Sequence, residues 1–179
     1  MSDADSRLCR SVLVLCAWLC LACPPRGTAA EQFANHALRG IQRVNVAVEG
    51  VEPDFARYGL RAEEVRRHVE VKLAAAGLKI ADDAAAQRDA AVSQLQVKLT
   101  IVENVYAFYS YALGLQARRK LSLGAEGSFI AQNVWSSGES GVINPTDMPR
   151  LFEVIDRLLA KFLNAHGADN VATGTATAH

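Results

Sequence analysis

Gln94-Leu95-Gln96-Val97-Lys98-Leu99-Thr100-Ile101 decides the fold, because apolar and polar side chains alternate along its whole length. A period of two is typical of a β-strand with one face on a core and the other face exposed. Two further runs, Tyr109 to Leu121 and Ser128 to Ser137, predict strands that follow a hairpin near Asn104. Together the three runs predict a meander of three antiparallel strands.

The part of the chain before this meander changes between strand and helix patterns. Valines at every second position predict a strand from Ile41 to Val51. A 3.6-residue period predicts a helix from Leu60 to Ala76, with Gly77 as its C-cap. A short strand is expected from Leu78 to Ala81, and the polar, alanine-rich stretch from Asp82 to Asp89 is expected to be a surface loop.

After the meander, the sequence predicts a loop and a last helix. The stretch from Ser136 to Pro145 holds two glycines and a proline, which favours a loop, and Thr146-Asp147 offers an N-cap. Apolar residues then recur at helical spacing as far as Phe162, and Gly167 is expected to end the helix. Residues 168–179 have no apolar pattern and are expected to form a disordered tail.

These elements predict the fold class. Strand, helix, strand, meander and helix in that order indicate an α+β two-layer sandwich. We expect a four- to five-stranded, mostly antiparallel sheet with two helices on one face.

The order of elements also resembles a known group of proteins. Arg43-Val44-Asn45-Val46 precedes a helix that ends in Ala76-Gly77-Leu78-Lys79-Ile80. In this layout the chain resembles small envelope α/β domains of Gram-negative bacteria, among them the lipopolysaccharide-assembly lipoprotein and the N-terminal domain of the Tol-system translocation protein. The likeness spans roughly residues 41–166 and implies a place in the cell envelope. It is a likeness of layout, so it assigns no role to any residue.

Residues 1–30 have the pattern of an export signal. Two arginines precede an apolar run from Val12 to Cys23, and the small residues Thr28-Ala29-Ala30 follow. This predicts a signal peptide cleaved near Ala30, a single domain over residues 31–167, and a periplasmic or secreted location. The alternative is a lipobox at Cys20-Leu21-Ala22-Cys23, in which Cys23 would be acylated and would hold the chain on the outer membrane.

The net charge and the positions of cysteine and histidine argue against several kinds of partner. The chain has 19 basic and 19 acidic residues, of which three and two lie within residues 1–30, so the remainder has a formal charge of −1. Such a charge argues against nucleic acid and, unless Cys23 is lipidated, against a membrane. All four cysteines fall within residues 1–30, and the four histidines, His36, His68, His166 and His179, have no ligand spacing. We therefore expect no metal and no cofactor.

No motif predicts catalysis. Ser137-Gly138-Glu139-Ser140-Gly141 is similar to a nucleophile elbow, but Val142 stands where the motif needs its second glycine. The chain also lacks a glycine loop of the kind that binds phosphate. We expect a protein that is not an enzyme, and the alternative is a small secreted hydrolase with a catalytic group assembled from His68, Ser140 or Glu139.

The candidates for partner binding are an aromatic hairpin, a basic run and a tryptophan. They are Tyr106, Phe108, Tyr109, Tyr111, Arg118, Lys120 and Trp135. Rigid aromatic rings and a pair of cations on one strand face make good contact surface. Two alternatives stay open, because the rings could fill the core and Arg118 to Lys120 could guard an edge strand against aggregation.

These observations predict a non-enzymatic periplasmic module that takes part in envelope assembly or maintenance. It would bind an envelope protein or a lipid through the open face of its sheet, or through the strand with Arg118 and Lys120.

Overall fold

The structure is a computed structural model that describes residues 37–104, 108–122 and 129–171. These residues belong to one of two compact units of the chain, Ala34–His179. They form a five-stranded sheet with three α-helices, and the α+β class predicted from the sequence is confirmed. The predicted signal peptide, the lipobox, Tyr106 and residues 172–179 lie outside the described residues.

The sheet is mixed, with spatial order β2-β1-β3-β4-β5. Its strands are β1 (Arg43–Glu49), β2 (Lys79–Ile80), β3 (Ser93–Glu103), β4 (Tyr109–Ser122) and β5 (Phe129–Ile143). Strand β1 runs parallel to both β2 and β3, whereas β3, β4 and β5 pair antiparallel as the meander predicted. Parallel neighbours need crossover connections, and these bring helices over the sheet.

Helix α1 (Ala62–Ala75) connects β1 to β2 and ends as the sequence predicted. Gly77 has φ +88°, and its amide donates to the carbonyl of Ala74. The amide of Leu78 donates to the carbonyl of Leu73, which completes a Schellman motif. This ending turns the chain directly into β2.

One face of the sheet is covered by α1 and by the long helix α3 (Leu151–Val171). Alternate residues of β1, β3 and β4 point towards these helices and join their apolar stripes in a single core. The core includes Val44, Val46, Leu95, Val97, Leu113 and Leu115 from the strands, Val65, Val69 and Leu73 from α1, and Ile155, Leu158 and Phe162 from α3. The two predicted helices therefore lie on one face.

A third, short helix lies where a surface loop was expected. Helix α2 (Asp83–Arg88) begins after Asp82, whose carboxylate accepts the amide of Ala85 as an N-cap. It connects β2 to β3 and lies across β1 on the sheet face opposite α1 and α3, where Asn45 donates to the Asp83 carboxylate. The expectation of a loop from Asp82 to Asp89 is wrong, because three consecutive alanines favour a helix once it is capped.

Strand β5 is longer than the sequence predicted. The stretch from Ser136 to Ile143, expected to be a loop, pairs with β4 along its whole length. Its glycines meet close neighbours: Gly138 lies opposite Gly114, and a Cβ on Gly141 would come within 3.0 Å of the Tyr111 ring. These glycines mark close packing within a strand and not a turn.

The last helix begins and ends later than predicted. Residues Pro145–Arg150 form a 3-10 helix, so Thr146-Asp147 does not cap α3. Gly167 lies inside α3, and residues 168–171, predicted to belong to a disordered tail, are helical. Asp169 and Asn170 hold the segment before β1: the amide of Leu38 donates to the Asp169 carboxylate at 2.9 Å. In the described part of the chain, no helix combines the length and the apolar character needed to cross a bilayer.

Candidate functional site

A groove of about 510 Å³ lies between α2 and the face of the sheet opposite α1 and α3. We call it the α2 groove. Its charged and amide lining consists of Asn45, Glu49, Arg66, Asp83, Gln87, Gln94, Arg118, Arg119 and Lys120. Two of the residues that the sequence indicated for partner binding, Arg118 and Lys120, are thus brought together in one concave site.

Strand alternation places these two cations. Leu115 and Ala117 of β4 are buried beneath the helices, so Arg118 and Lys120 point to the opposite face, into the groove. Arg119 points to the helix side, where its guanidinium donates to the carbonyls of Ala37 and Arg39. The groove therefore receives the first and third residues of the basic run.

Neutral oxygens hold both cations in position. The Arg118 guanidinium lies 3.4 Å from the side-chain oxygen of Gln96. The Lys120 ammonium donates to the backbone carbonyls of Ala86 and Gln87 at the end of α2. Neither cation has a carboxylate within 4.0 Å among the described residues. These contacts orient both cations without an ion pair. At longer range Lys120 acts on Asp89, whose pKa lies below its usual range mainly because the Ala91 amide donates to it, and also because of the charges of Arg43 and Lys120.

The cation that reaches the groove from α1 is neutralised. Arg66 contacts Asp83 at 2.8 Å and Glu70 at 2.9 Å. The hydrogen bond from Arg66 is the main cause that holds the pKa of Asp83 below its usual range, and the hydrogen bond from Asn45 adds to it. The carboxylates of Asp83 and Glu70 in turn raise the pKa of Arg66. Asp83 is therefore ionised at neutral pH and is already paired. A ligand anion in the groove would meet Arg118 and Lys120, and it would also meet Glu49, an exposed carboxylate of the same lining.

A basic site of this kind suits a carboxylate or a phosphate. An arginine presents a planar fork of donors, and an ammonium adds a point charge at a second position. The lining contains no histidine, hydroxyl or thiol side chain that could act as a base or a nucleophile. The arrangement can bind and orient an anion.

The aromatic candidates lie elsewhere. Tyr109 is only 6% exposed and contacts Phe55 and Tyr58, and the hydrogen bond with Tyr58 raises its pKa. It points to the helix side of β4, so it is a core residue, and its assignment to an exposed surface is wrong. The open alternative, aromatic packing in the core, holds for this ring.

The other rings are divided between the helix side and the solvent. Tyr111 packs over Gly141, and Trp135 packs edge-on against Phe162 of α3 with ring centroids 5.4 Å apart. Both belong to the margin of the core. Phe108 is exposed near the start of β4. The predicted aromatic surface is therefore not assembled among the described residues.

The basic run lies where β4 becomes an edge. Arg118 pairs with Gln94 of β3, whereas Arg119 and Lys120 lie beyond the end of β3 and pair with β5 alone. The interpretation as charges on an edge strand therefore fails for Arg118 and fits the positions of Arg119 and Lys120. The edge on this side of the sheet is β5. Its one charged residue, Glu139, points inward and binds Arg157 and Lys161 of α3 at 2.9 and 3.2 Å.

The three residues of the alternative hydrolase are not brought together. His68 of α1 binds the Asp156 carboxylate of α3 at 2.6 Å, and Lys72 binds its other oxygen. Glu139 is held by the cations of α3, whereas Ser140 follows it on β5 and points to the opposite face. The three side chains thus lie in separate surroundings.

Sequence reasoning missed Asn45, Arg66 and Asp83 as parts of the site. Asn45 lies on the face of β1 opposite the valines, where a sheet covered on one side would leave it exposed, yet it is only 2% exposed, and a buried amide needs a specific partner. The carboxylate that it binds belongs to α2, which was not predicted. Without that helix, no pattern connects the three residues.

Comparisons with known proteins identify no family. No family model matches the chain, and no curated protein matches it. Among solved structures it is similar to a PelC dodecamer from Paraburkholderia phytofirmans, with 20% identity, a TM-score of 0.40, and coverage of 72% of this chain and 89% of that one. It is also similar to a minor lipoprotein from Acinetobacter baumannii, with 11% identity, a TM-score of 0.30, and coverage of 69% and 87%. They are loosely consistent with the predicted layout of small envelope domains, and at these scores they carry no argument about function or assembly.

Proposed function

We propose that this chain is a non-enzymatic, exported module of the cell envelope that binds an anionic group of a protein or lipid partner in the α2 groove. The observation that carries the proposal is the pair Arg118 and Lys120. Both are half-buried, both are fixed by neutral oxygens, and neither forms an ion pair within 4.0 Å in the described part of the chain. Partly desolvated cations attract an anion more strongly than fully exposed cations do.

A comparison with the half-buried arginines outside the basic run supports this assignment. Among the described residues these are Arg43 and Arg66, and each forms an ion pair, with Asp89 and with Asp83. Arg119 is also half-buried and has no carboxylate within 4.0 Å among the described residues, but its guanidinium points to the helix side and is held by the carbonyls of Ala37 and Arg39. Arg118 and Lys120 point into the groove instead, so a ligand there would supply the anion that they lack.

Photocrosslinking in the native envelope tests the proposal. A photoreactive residue replaces Gln87, which is exposed on α2 and lines the groove. The matched position is Arg67 of α1, which is exposed and does not line the groove. We expect an adduct at position 87 and none at position 67, and we expect Arg118→Ala to lower the yield at position 87 roughly fivefold or more.

A charge-matched control separates the groove from general basicity. Lys98→Ala removes an exposed cation from the same sheet face outside the groove, and it should leave the yield unchanged. Equal yields in the wild type and in Arg118→Ala would refute binding at these cations. An equal fall in Arg118→Ala and Lys98→Ala would show that overall charge, not the groove, attracts the partner.

A further inference from the structure

The two edges of the sheet differ greatly in length. The edge strand β5 has 15 residues, whereas β2 at the opposite edge has two. Natural sheets protect their edges with short strands, prolines, bulges or charges. The stretch from Ser136 to Val142 contains no proline, lysine or arginine, and the irregularity in the pairing of β4 with β5 lies before it, between Ala117 and Arg118. We call this stretch the β5 edge.

Alternation along the strands shows which backbone groups of the β5 edge point outward. The amide of Asn104 donates to the carbonyl of Phe108, so the even-numbered residues of β4 bond to β3. The odd-numbered residues of β4 therefore bond to β5, and they lie opposite its odd-numbered residues from Trp135 to Ile143. In the described part of the chain, nothing bonds to the backbone groups that remain. These outward groups belong to Ser136, Gly138, Ser140 and Val142.

The side chains of the β5 edge leave room for a neighbouring strand. Ser136, Gly138 and Ser140 are small, and all three are exposed on the open face of the sheet. Glu139 points to the helix side, where Arg157 and Lys161 of α3 bind it. An inward charge without a partner would repel an added strand, whereas this carboxylate is already paired.

The charges beside the β5 edge are mixed in sign. On the helix side, cations and carboxylates are equal in number: Arg150, Arg157 and Lys161 against Asp147, Glu139 and Glu153. On the open face, the charged residue nearby is Lys98, which lies two strands inward on β3. No field of one sign builds up at this edge, so two identical edges can approach each other without strong repulsion.

We propose that the β5 edge pairs antiparallel with the β5 edge of a second copy, about a two-fold axis at Gly138. A two-fold axis brings one residue against its own copy, and a glycine has no side chain to collide there. Ser136 then lies opposite the second copy's Ser140, and Glu139 lies opposite Ser137, so like charges do not face each other. The three pairs of outward residues would exchange about six backbone hydrogen bonds.

A second copy fits this edge better than a single extended segment does. On the helix side, β5 is covered by α3, where Trp135 packs edge-on against Phe162. A lone strand added outside β5 would bring no layer to cover its own side chains. A second copy brings its own α3, and a two-fold axis perpendicular to the sheet keeps the helices of both copies on one face. The two five-stranded sheets would become one continuous sheet.

The oligomeric state in solution tests the inference. The exported product carries Cys23→Ser, so that an acyl chain cannot contribute, and sedimentation equilibrium measures its mass at increasing protein concentration. We expect a concentration-dependent dimer. Ser136→Lys/Ser140→Lys puts like charges opposite each other across the axis and should raise the dissociation constant roughly tenfold or more. Thr100→Lys adds a cation to an exposed position of β3 on the same face and should leave the dimer unchanged.

Charge reversal makes the test specific to this pairing. Ser136→Glu/Ser140→Glu should weaken the dimer as the lysine pair does, and an equimolar mixture of the two variants should restore it, because opposite charges then face each other. A wild type that stays monomeric, or a mixture that does not regain the dimer, would overturn the inference. A chain that ends after Val171 and dimerises when the full chain does not would also overturn it, because residues 172–179 would then occupy the edge.

Proline substitutions provide a second readout that does not depend on charge. Ser140→Pro removes an outward amide, so we expect a folded monomer. Ser137→Pro removes an amide that bonds to β4, and it should lower the unfolding temperature by roughly 10 °C more than Ser140→Pro does. A dimer that survives Ser140→Pro would overturn the inference. The β5 edge shares no residue with the lining of the α2 groove, so loss of the dimer leaves the crosslinking test of the groove independent.

Discussion

Residues 168–171 give the sharpest test of the structure. The sequence predicts a disordered tail there, whereas in the structure these residues end α3 and bind the segment before β1. The Asp169 carboxylate accepts the amide of Leu38, and Asn170 accepts the amide of Gly40 at 2.9 Å. A buried hydrogen bond to a charged group contributes about 1.5–3 kcal/mol, and a neutral one about 0.5–1.5 kcal/mol. A chain that ends after Gly167 should therefore lose about 3 kcal/mol of unfolding free energy.

The matched control is a chain that ends after Val171, which keeps these contacts and should be as stable as the full chain. Urea unfolding followed by the fluorescence of Trp135 measures both truncations, provided that the signal segment with Trp18 has been removed. Asp169→Ala alone should cost about 2 kcal/mol and should speed hydrogen exchange at the Leu38 amide. Truncations that agree within about 0.5 kcal/mol would refute the helical clamp.

Three further outcomes follow from single positions. Gly50→Ala should lower the free energy of unfolding by more than about 3 kcal/mol in thermal unfolding, because φ is +80° and a Cβ would lie 1.8 Å from a carbonyl oxygen of β3. Gly40→Ala should lower it by only about 1 kcal/mol, because φ is +75° but the space around the new Cβ is open. The hydrogen bond from Arg157 holds the pKa of Glu139 below its usual 4.5. The ionised Glu139 therefore stabilises the fold above about pH 4.5, and this contribution is lost as the pH falls through the lowered pKa. In Glu139→Gln, the free energy of unfolding should fall less steeply on the acid side, and an unchanged slope would contradict this. Intact mass of the processed protein should show Glu31 as the first residue, whereas an acylated Cys23 would contradict cleavage near Ala30.

The fold could be predicted wherever one period runs without interruption. The alternation of β3 and the apolar stripe of α1 each specify an element and the face that it buries, and the structure has both. Glycines caused the main errors. Gly138 and Gly167 indicated a loop and a helix end, yet both lie inside regular elements, because neighbouring strands or helix turns supply the hydrogen bonds that local propensity lacks.

The candidate site could be predicted only in part. Alternation along β4 correctly places Arg118 and Lys120 on one face, since it depends on local geometry alone. The opposite wall of the groove depends on a crossover that puts α2 above β1, and sequence periodicity does not tell which face a short helix covers. Tyr109 was misassigned for a related reason: it alternates in phase with Leu113, but the sequence does not show which face the helices bury.

The α2 groove combines two features that a purely structural role does not require together. Carbonyl oxygens at the end of α2 fix the Lys120 ammonium, which removes side-chain freedom before any ligand arrives. These oxygens carry no formal charge, so they form no ion pair with Lys120, whereas a carboxylate such as the one beside Arg66 would stabilise the fold and block an anion. A cation that is fixed without an adjacent carboxylate is preorganised for an anionic ligand, and this is the arrangement that a binding site needs.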